Sequence, residues 1–292
     1  MSAFLEIENL SATLRRHPLR MLRSVSLSVP AGEVHGLVGE SGAGKSMIGK
    51  AVLGILPPAI GIVEGEIRLD GEDLLKMKPA DRRRAIGAKA ALIPQDPLTA
   101  LNPSHRIGPQ ISDRLVDILG WERTRAKARA GELLAEVHID DPDRVMESYP
   151  FELSGGMRQR VLIASAFAAN PKLIVADEPT TALDVTVQKQ ILKLIREMQK
   201  RHGTAMLFVT HDLGVVSKIC QSLSVLYAGK VVERASVAEF FAAPRHAYSR
   251  ALLAATPKYT DPGSSLVPVD SAVIEAVAAE IAASDREWRH AG

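Results

Sequence analysis

Cysteine is almost absent from this chain of 292 residues, because Cys220 is its single example. One thiol excludes an internal disulfide framework and also a cysteine-rich metal site. Such sparing use of thiols is compatible with a reducing compartment. The fold must therefore be stabilised by a packed core, for which a chain of this length has enough residues.

Long apolar runs and a strong charge bias are missing as well. No uninterrupted apolar stretch is long enough to cross a bilayer, and the start MSAFLEIENL lacks the basic and apolar segments of a signal peptide. The formal net charge of +2 gives no argument for a nucleic-acid partner. With 46% hydrophobic and 24% charged residues, the composition is typical of a globular protein. Any role in a membrane process is therefore expected at the cytoplasmic face, through a partner.

The clearest motif is GESGAGKS at residues 39–46, which fits the phosphate-binding pattern G-x-x-x-x-G-K-[ST]. An apolar strand pattern precedes it and a helical pattern follows at residues 48–56. The glycines let the backbone wrap a phosphate chain, and the helix N-terminus adds positive potential. A glycine-rich loop that binds nothing is the alternative, which pattern and context together disfavour. Phosphate contacts are predicted from Gly39, Glu40, Ser41, Gly42, Ala43, Gly44, Lys45, Ser46 and Met47.

Within this loop, Lys45 is predicted to neutralise the β- and γ-phosphates, and Ser46 to offer its hydroxyl to Mg²⁺. A second apolar run, Leu-Ile-Val-Ala, ends in Asp177 and Glu178. At the end of a buried strand, Asp177 would hold Mg²⁺, through water, and Glu178 would orient and polarise the attacking water. A solvated acidic pair is the ordinary alternative, and the strand together with the phosphate loop argues against it.

Four further segments stand out, which are LIPQD at residues 92–96, LSGGMRQR at 153–160, TALD at 181–184 and FVTHD at 208–212. In that order they resemble the Q-loop, the LSGGQ signature, the D-loop and the switch-histidine strand of ABC ATPases. The chain resembles that family up to about Arg234.

The resemblance implies an α/β fold of the P-loop NTPase class, with a RecA-like core, an antiparallel β region and an inserted helical subdomain at about residues 97–160. Residues 1–234 would form the nucleotide-binding domain, and residues 235–292 a C-terminal extension. Alternating apolar residues between 4 and 29 agree with the antiparallel region, and helical spacing between 97 and 152 agrees with the insertion.

The resemblance also implies ATP and Mg²⁺ as cofactors, and roles for residues that would otherwise be interpreted as surface or structural ones. Gln95 would reach Mg²⁺ and the attacking water, and His211 would sense the γ-phosphate. The signature opens a helix, which makes a second phosphate-binding N-terminus. In the family this site meets the nucleotide of an opposing subunit. The catalytic residues would be Glu178, His211, Lys45 and Gln95, and the metal ligands would be Ser46, Gln95 and Asp177. The further contacts to nucleotide would come from Ser154, Gly155, Gly156 and Asp184.

A finer resemblance lies in PQDPLTALNP at residues 94–103 and FFAAPRHAYSRALL at 240–253, which are similar to the oligopeptide, dipeptide and nickel branch of ABC importers. It implies an ATPase at the cytoplasmic face of the inner membrane that powers uptake of peptides, nickel complexes, sugars or opines. Its partners would be integral-membrane permease subunits, an identical or related second ATPase and, indirectly, an extracytoplasmic solute-binding protein. The alternatives are a soluble ABC ATPase of DNA repair or translation and a non-hydrolysing regulatory cassette.

Two departures from the family's pattern stand out. Many members carry a cysteine-rich stretch with an iron–sulfur cluster late in the extension, and this chain lacks those cysteines. ABC ATPases also place an aromatic ring ahead of the P-loop to stack on adenine, whereas residues 12–22 contain none. Arg16 or His17 could stack on adenine instead, or contact with the base is weak.

A last helix is predicted at residues 270–288, with Asp270 or Ser271 as its cap. This helix would either pack back onto this chain or dock a partner.

Overall fold

The strands fall into two sheets of different type, seen in a computed structural model that describes residues 3–17, 19–181, 183–256 and 270–291. The described residues form ten strands: β1 (Ala3–Leu14), β2 (Arg20–Pro30), β3 (Val34–Val38), β4 (Ile60–Leu69), β5 (Glu72–Asp73), β6 (Ala90–Ile93), β7 (Leu173–Asp177), β8 (Ala205–Thr210), β9 (Ser222–Tyr227) and β10 (Lys230–Ser236).

The first sheet is antiparallel, in the order β2-β1-β4-β5. Buried and less buried residues alternate along β2, and Ile7 of β1 faces Leu27 in the register that this alternation requires. One face of the sheet therefore lies on a core while the other is more open, as predicted for residues 4–29.

The second sheet has the order β10-β9-β3-β8-β7-β6, in which β6, β7, β8, β3 and β9 run parallel and β10 pairs antiparallel with β9. Every residue of β3, β7 and β8 is buried. Such continuous apolar strands are typical of a parallel sheet covered on both faces. The carboxyl ends of β3, β8 and β7 lie side by side, which is where open α/β sheets bind ligands.

The helices cover both faces of the parallel sheet. They are α1 (Lys45–Val52), α2 (Pro79–Lys89), α3 (Pro97–Ala100), α4 (Ile107–Asp117), α5 (Arg123–Glu136), α6 (Pro142–Glu147), α7 (Gly155–Phe167), α8 (Val185–His202), α9 (Leu213–Ile219), α10 (Val237–Ala242), α11 (Ala247–Ala254) and α12 (Ser271–Ala291), with a 3₁₀ turn at Pro150–Glu152. The predicted helix at 48–56 is shorter than expected, because α1 ends at Val52 ahead of Gly54 and two prolines.

Two hydrophobic cores lie on opposite sides of the parallel sheet. One joins α1 and the antiparallel sheet to β3, β7 and β8. The other joins the helices between β6 and β7 and those after β7 to the sheet's second face. Within the inserted helices, Ile107, Ile111 and Leu115 form a buried stripe on α4 that packs against α5. The α/β class with an antiparallel region and a helical insertion is confirmed.

Residues 235–256 and 270–291, the described part of the expected C-terminal extension, pack onto the rest of the chain. The expected domain boundary at residue 234 falls within β10, which is the edge strand of the second sheet. The two expected domains are therefore joined by a continuous strand. Helix α12 matches the predicted helix, Asp270 caps it by accepting the Ala272 N–H at 2.9 Å, and Val277 and Ile281 are buried. Packing back onto the chain is thereby confirmed. Among the described residues, no helix is both long and apolar enough to span a membrane.

Candidate functional site

The loop that follows β3 is built around its own lysine. Lys45 is buried, and its Nζ donates to the carbonyl oxygens of Gly39 at 2.8 Å and Glu40 at 2.9 Å. Burial lowers the pKa of Lys45, and the carboxylates of Glu178 and Asp177 oppose that shift. Gly39 has φ +155°, and a Cβ there would lie 2.2 Å from the Leu226 carbonyl oxygen, so this position requires glycine. The loop thus holds a cation at the start of α1.

Ser46 and Asp177 meet across the carboxyl ends of β3 and β7. The Ser46 hydroxyl donates to Asp177 Oδ1 at 2.7 Å, and Asp177 is only 9% exposed. Burial raises the pKa of Asp177, while the bond from Ser46 opposes that shift. A hydroxyl and a buried carboxylate oxygen are hard ligands of the type that Mg²⁺ takes in proteins. The donor set therefore fits the expected metal.

Glu178 is the meeting point of the remaining polar groups. Its backbone N–H donates to Val209 O at 2.9 Å, and its Oε2 accepts from the Thr181 hydroxyl at 2.9 Å. Oε2 also lies 3.3 Å from His211 Nδ1, and Oε1 lies 3.8 Å from Lys45 Nζ. The backbone φ of Glu178 is +46°, which is costly for a residue with a Cβ and is held here by the strand-end contacts.

A cavity of about 430 Å³ opens beside this cluster. Gln95, which follows β6 and is exposed, lines it together with Lys45, Ser46 and Glu178. Its other walls include Lys50, one turn along α1 from Ser46, and Met21, Pro57 and Ile60. Lys50 was not predicted as a site residue, because its only signal in the sequence was its spacing of four residues from Ser46 on a helix.

The far wall of this cavity is apolar and not aromatic. Arg16 and His17 lie in the exposed turn between β1 and β2, and neither is among the residues that line the cavity. The structure therefore gives no support to stacking of Arg16 or His17 on adenine, and that expectation stays a prediction. Met21 stands there instead, half-buried between Arg20 and Leu22 in β2. Its identity did not predict this place, because the family's pattern has an aromatic ring ahead of the P-loop.

The signature residues and Asp184 lie elsewhere. Ser154 caps α7 by accepting the Met157 N–H at 3.3 Å, Ser154 and Gly155 are exposed, and neither lines the cavity at Lys45. Asp184 caps α8 by accepting the N–H groups of Thr186 and Val187, both at 3.0 Å. Ala182 of the same motif lies outside the described residues.

The chain therefore holds two separated groups of predicted site residues. A Cβ on Gly156 would lie 3.6 Å from Val187, so the N-termini of α7 and α8 adjoin each other in the outer group. Lys45, Ser46, Gln95, Asp177, Glu178 and His211 form the inner group. Thr181 belongs with the inner group through Glu178, a role that its place in the D-loop motif did not predict.

Comparison with known proteins gives consistent matches. The ABC transporter family matches residues 22–181. A probable D,D-dipeptide transport ATP-binding protein of Escherichia coli is 47% identical over 86% of this chain and 77% of its own length. An oligopeptide transport ATP-binding protein of Bacillus subtilis is 42% identical over 90% and 74%. A dimeric ATP-binding cassette, solved with ADP and phosphate after hydrolysis, aligns with TM-score 0.70 and 25% identity over 80% and 98%.

Proposed function

This chain belongs to the ABC transporter family as one of its ATPases, and from that premise we propose that it hydrolyses ATP to power the import of peptides through a membrane permease. The observation that carries the proposal is the convergence of Lys45, Ser46, Asp177, Glu178 and His211 where β3, β7 and β8 end together. A phosphate cradle, hard metal ligands and a general base in one place are the parts that phosphoryl transfer to water needs.

The reaction is derived from these groups. The P-loop amides and Lys45 bind the β- and γ-phosphates. Ser46, Gln95 and Asp177 would hold Mg²⁺, which would supply positive charge against the negative charge that develops on the phosphate. Glu178 accepts a hydrogen bond from the attacking water and takes its proton, since its carboxylate faces the cavity and is fixed by the Thr181 hydroxyl. We assign to His211, whose Nδ1 lies 3.3 Å from Glu178 Oε2, the contact with the γ-phosphate and the orientation of the base.

The outer group is assigned to a second ATPase subunit. Ser154, Gly155, Gly156 and Asp184 face solvent or lie near it, at the N-termini of α7 and α8. Helix N-termini favour phosphate, and an antiparallel pairing of two copies would bring this group to the nucleotide held opposite. The dimeric cassette with ADP and phosphate supports that arrangement. The partner is an identical chain or a related one.

The membrane partners are inferred from the helical insertion and from the relatives. Leu98 is 65% exposed and Phe151 is 67% exposed, and both lie in the insertion that follows Gln95. Apolar side chains that are exposed singly are common on protein surfaces, and it is the likeness to transport ATP-binding proteins that leads us to assign these two to the contact with the cytoplasmic face of the permease subunits. Peptide cargo is the substrate class named for the two relatives, and it would be delivered by an extracytoplasmic solute-binding protein. The relatives give no support to a role in DNA repair or translation.

Uptake of labelled di- and oligopeptides by cells that lack this ATPase tests the proposal. We expect uptake to be abolished and to be restored by the wild-type chain but not by Glu178→Gln. The purified chain, or the chain with its second ATPase, should hydrolyse ATP only when Mg²⁺ is present. Peptide uptake that persists without the chain would contradict the assignment to import. ATP hydrolysis that is independent of Mg²⁺ would contradict the assignment of Ser46, Gln95 and Asp177 as metal ligands.

The same proposal includes the division of the chain into a nucleotide-binding domain, residues 1–234, and a C-terminal extension, residues 235–292.

A further inference from the structure

The turn between β9 and β10 supports the P-loop from behind. The Gly229 N–H donates to the Ala43 carbonyl oxygen at 2.8 Å, so the turn is bonded directly to the phosphate loop. Ala228 has φ +44° and Gly229 has φ +78°. The left-handed conformation is unfavourable for alanine, and it persists only where surrounding contacts fix it.

Arg23 of β2 supplies those contacts. Its backbone N–H donates to Gly229 O at 2.8 Å, and its guanidinium Nη1 donates to the Ala228 carbonyl oxygen. Both carbonyl groups of the turn are thereby held by one residue. The Arg23 side chain is 11% exposed, so its position is fixed by its partners more than by solvent.

The anchor of Arg23 comes from the far end of the chain. Asp285 of α12 accepts from Arg23 Nε at 2.9 Å and from Arg23 Nη2 at 2.8 Å, which is the paired geometry of a strong arginine–carboxylate interaction. Arg20 Nη1 lies 3.5 Å from the same carboxylate. The three side chains are at most 16% exposed, so solvent screens their attraction only weakly.

Other contacts keep α12 in place without touching this turn's carbonyl groups. The Trp288 indole donates to Glu64 at 2.8 Å, and its ring lies 4.6 Å from the Arg20 guanidinium carbon. Val277 and Ile281 are buried under the helix. The helix therefore stays docked when a single polar contact is removed, which makes the Arg23 contact separable from docking.

We propose that Asp285 and Arg23 are positioning residues for the P-loop, through which the C-terminal helix sets the affinity for ATP. The chain of contacts runs from Asp285 to Arg23, from Arg23 to the carbonyl groups of the β9–β10 turn, and from Gly229 to Ala43. The ATP part of the inference rests on the function proposed above. The mechanical part, a P-loop held from α12, does not.

Arg23→Gln is the central variant, because Asp285 then keeps Arg20 as its partner while the Ala228 carbonyl loses its donor. Asp285→Asn is the second variant, and Asp285→Glu is the conservative rescue. Trp288→Phe is the matched control, since it removes one hydrogen bond of α12 and leaves Arg23 intact. Each variant is made in the full chain, with folding checked by thermal melting.

Two readouts separate positioning from a structural role. Hydrogen exchange of the nucleotide-free protein should speed up at residues 39–44 and 228–229 in Arg23→Gln and Asp285→Asn, and not in Trp288→Phe. The dissociation constant for ATP, measured by calorimetry without Mg²⁺, should rise roughly tenfold in both variants, an ordinary size for coupling between two sites. The double variant should be no worse than the weaker-binding single one, because both interrupt one route. Asp285→Glu should recover part of the affinity, and kcat should change less than KM.

Unchanged exchange at residues 39–44 in a folded Arg23→Gln protein overturns the proposal, as does equal weakening by Trp288→Phe. Additive losses in the double variant also overturn it, because the two residues would then act independently. If the wild-type chain binds no ATP, the proposed function fails, while the exchange measurement still decides whether α12 holds the P-loop. If Asp285→Asn does not fold because Arg20 is left without its carboxylate, Arg23→Gln decides alone.

Discussion

The inner group, around the P-loop, and the outer group, around the signature, differ in how far this chain alone supplies the contacts of their side chains. In the inner group, Lys45 donates hydrogen bonds to two carbonyl groups of its own loop, and Ser46 donates one to Asp177. Glu178 accepts a hydrogen bond from Thr181 and lies beside His211. In the outer group, Ser154 is exposed and its hydroxyl caps its own helix. One group is preorganised for a ligand and the other presents a finished helix end to solvent. This difference agrees with the proposal that an opposing subunit brings the ligand of the outer group.

The glycines of the two groups show the same difference. A Cβ on Gly39 would lie 2.2 Å from a carbonyl oxygen, and one on Gly49 would lie 2.7 Å from Val175. A Cβ on Gly155 would meet nothing within 4 Å. Gly39 and Gly49 are therefore required by the packing of this chain, whereas Gly42 of the phosphate loop is favoured by its backbone φ of +81°. The packing of this chain does not explain Gly155, which agrees with the proposal that this glycine approaches a nucleotide held by another subunit.

The largest effect is expected at the base of the inner group. Glu178→Gln should keep ATP binding and lose about 10²–10⁴-fold in turnover, the usual contribution of a general base. Because the amide keeps the size of the carboxylate, the cavity and the P-loop stay in place, and ATP should trap a dimer. Steady-state ATPase assays and size-exclusion chromatography with ATP measure both effects.

Thr181→Val is the matched control for that variant, since it removes the hydroxyl that bonds Glu178 and leaves the carboxylate. Its loss should be much smaller. A Glu178→Gln protein with a near wild-type rate would sink the role of Glu178. It would also remove the claim that this chain's own half contains the chemistry.

The next prediction tests whether the two groups serve different nucleotides. Lys45→Ala and Ser154→Arg should each be inactive as homodimers. In a mixed dimer one site carries both lesions and the other carries neither. Random pairing makes about half of the dimers mixed, so about a quarter of the wild-type ATPase rate should return, because a two-fold dimer has two equivalent sites.

Native mass spectrometry shows whether mixed dimers formed, and no rescue in their presence contradicts the shared site. If the wild-type chain is inactive alone, the lesions are placed one on each of the two different ATPases. In that design the rate should depend on which pair of lesions falls in one site. A rate independent of the pairing would mean that each chain completes its own site.

The sequence predicted most of the inner group because its signals are local. The phosphate pattern, the acidic pair and the switch histidine each follow a strand, and parallel strands bring their carboxyl ends to one edge. Thr181 could not be assigned to Glu178, because that contact depends on a turn in which Glu178 has a positive φ. A propensity for this conformation does not show in the identity of a glutamate.

Contacts between distant parts of the chain were out of reach. Helical spacing predicted α12 and its packing, yet its carboxylate Asp285 meets Arg23 at a sequence separation of 262 residues. Nothing local in either segment specifies that pairing. Met21 is a similar case, because its place in the cavity depends on how β2 and the chain near Pro57 come together.

A smaller effect separates the glycines of the two groups. Gly39→Ala should lower the free energy of unfolding by roughly 1–3 kcal/mol, since its Cβ meets backbone and its φ is +155°. Gly155→Ala should leave stability unchanged or slightly higher, because a helix favours alanine over glycine. Its ATPase rate should nevertheless fall, since the added methyl group would stand where the opposing nucleotide packs.

Urea unfolding and ATPase assays on the same proteins check this pair. Gly71→Ala is the control for backbone strain alone, as Gly71 has φ +78° and a Cβ there meets nothing within 4 Å. It should lose some stability and no activity. A fully active Gly155→Ala protein would show that the signature glycine does not approach a nucleotide.

The smallest effect is expected at the apolar wall of the inner cavity. Met21, Pro57 and Ile60 offer a surface to the base without a hydrogen-bond donor or acceptor in their side chains. We therefore expect GTP to compete nearly as well as ATP, because strong discrimination between bases needs buried polar groups. Met21→Tyr should tighten ATP by a few-fold, since stacking of a base on an aromatic ring is worth about 1–3 kcal/mol and part of that replaces contacts of the methionine. Calorimetric titration with ATP and GTP measures both.

Arg16→Ala and His17→Ala are the matched controls, and neither should change the dissociation constant for ATP, because both residues lie in the exposed turn between β1 and β2. Weaker ATP binding in either control would indicate that the adenine base contacts that turn. Unchanged affinity in Met21→Tyr would place the base away from β2, and the inner half would then be preorganised for phosphates alone.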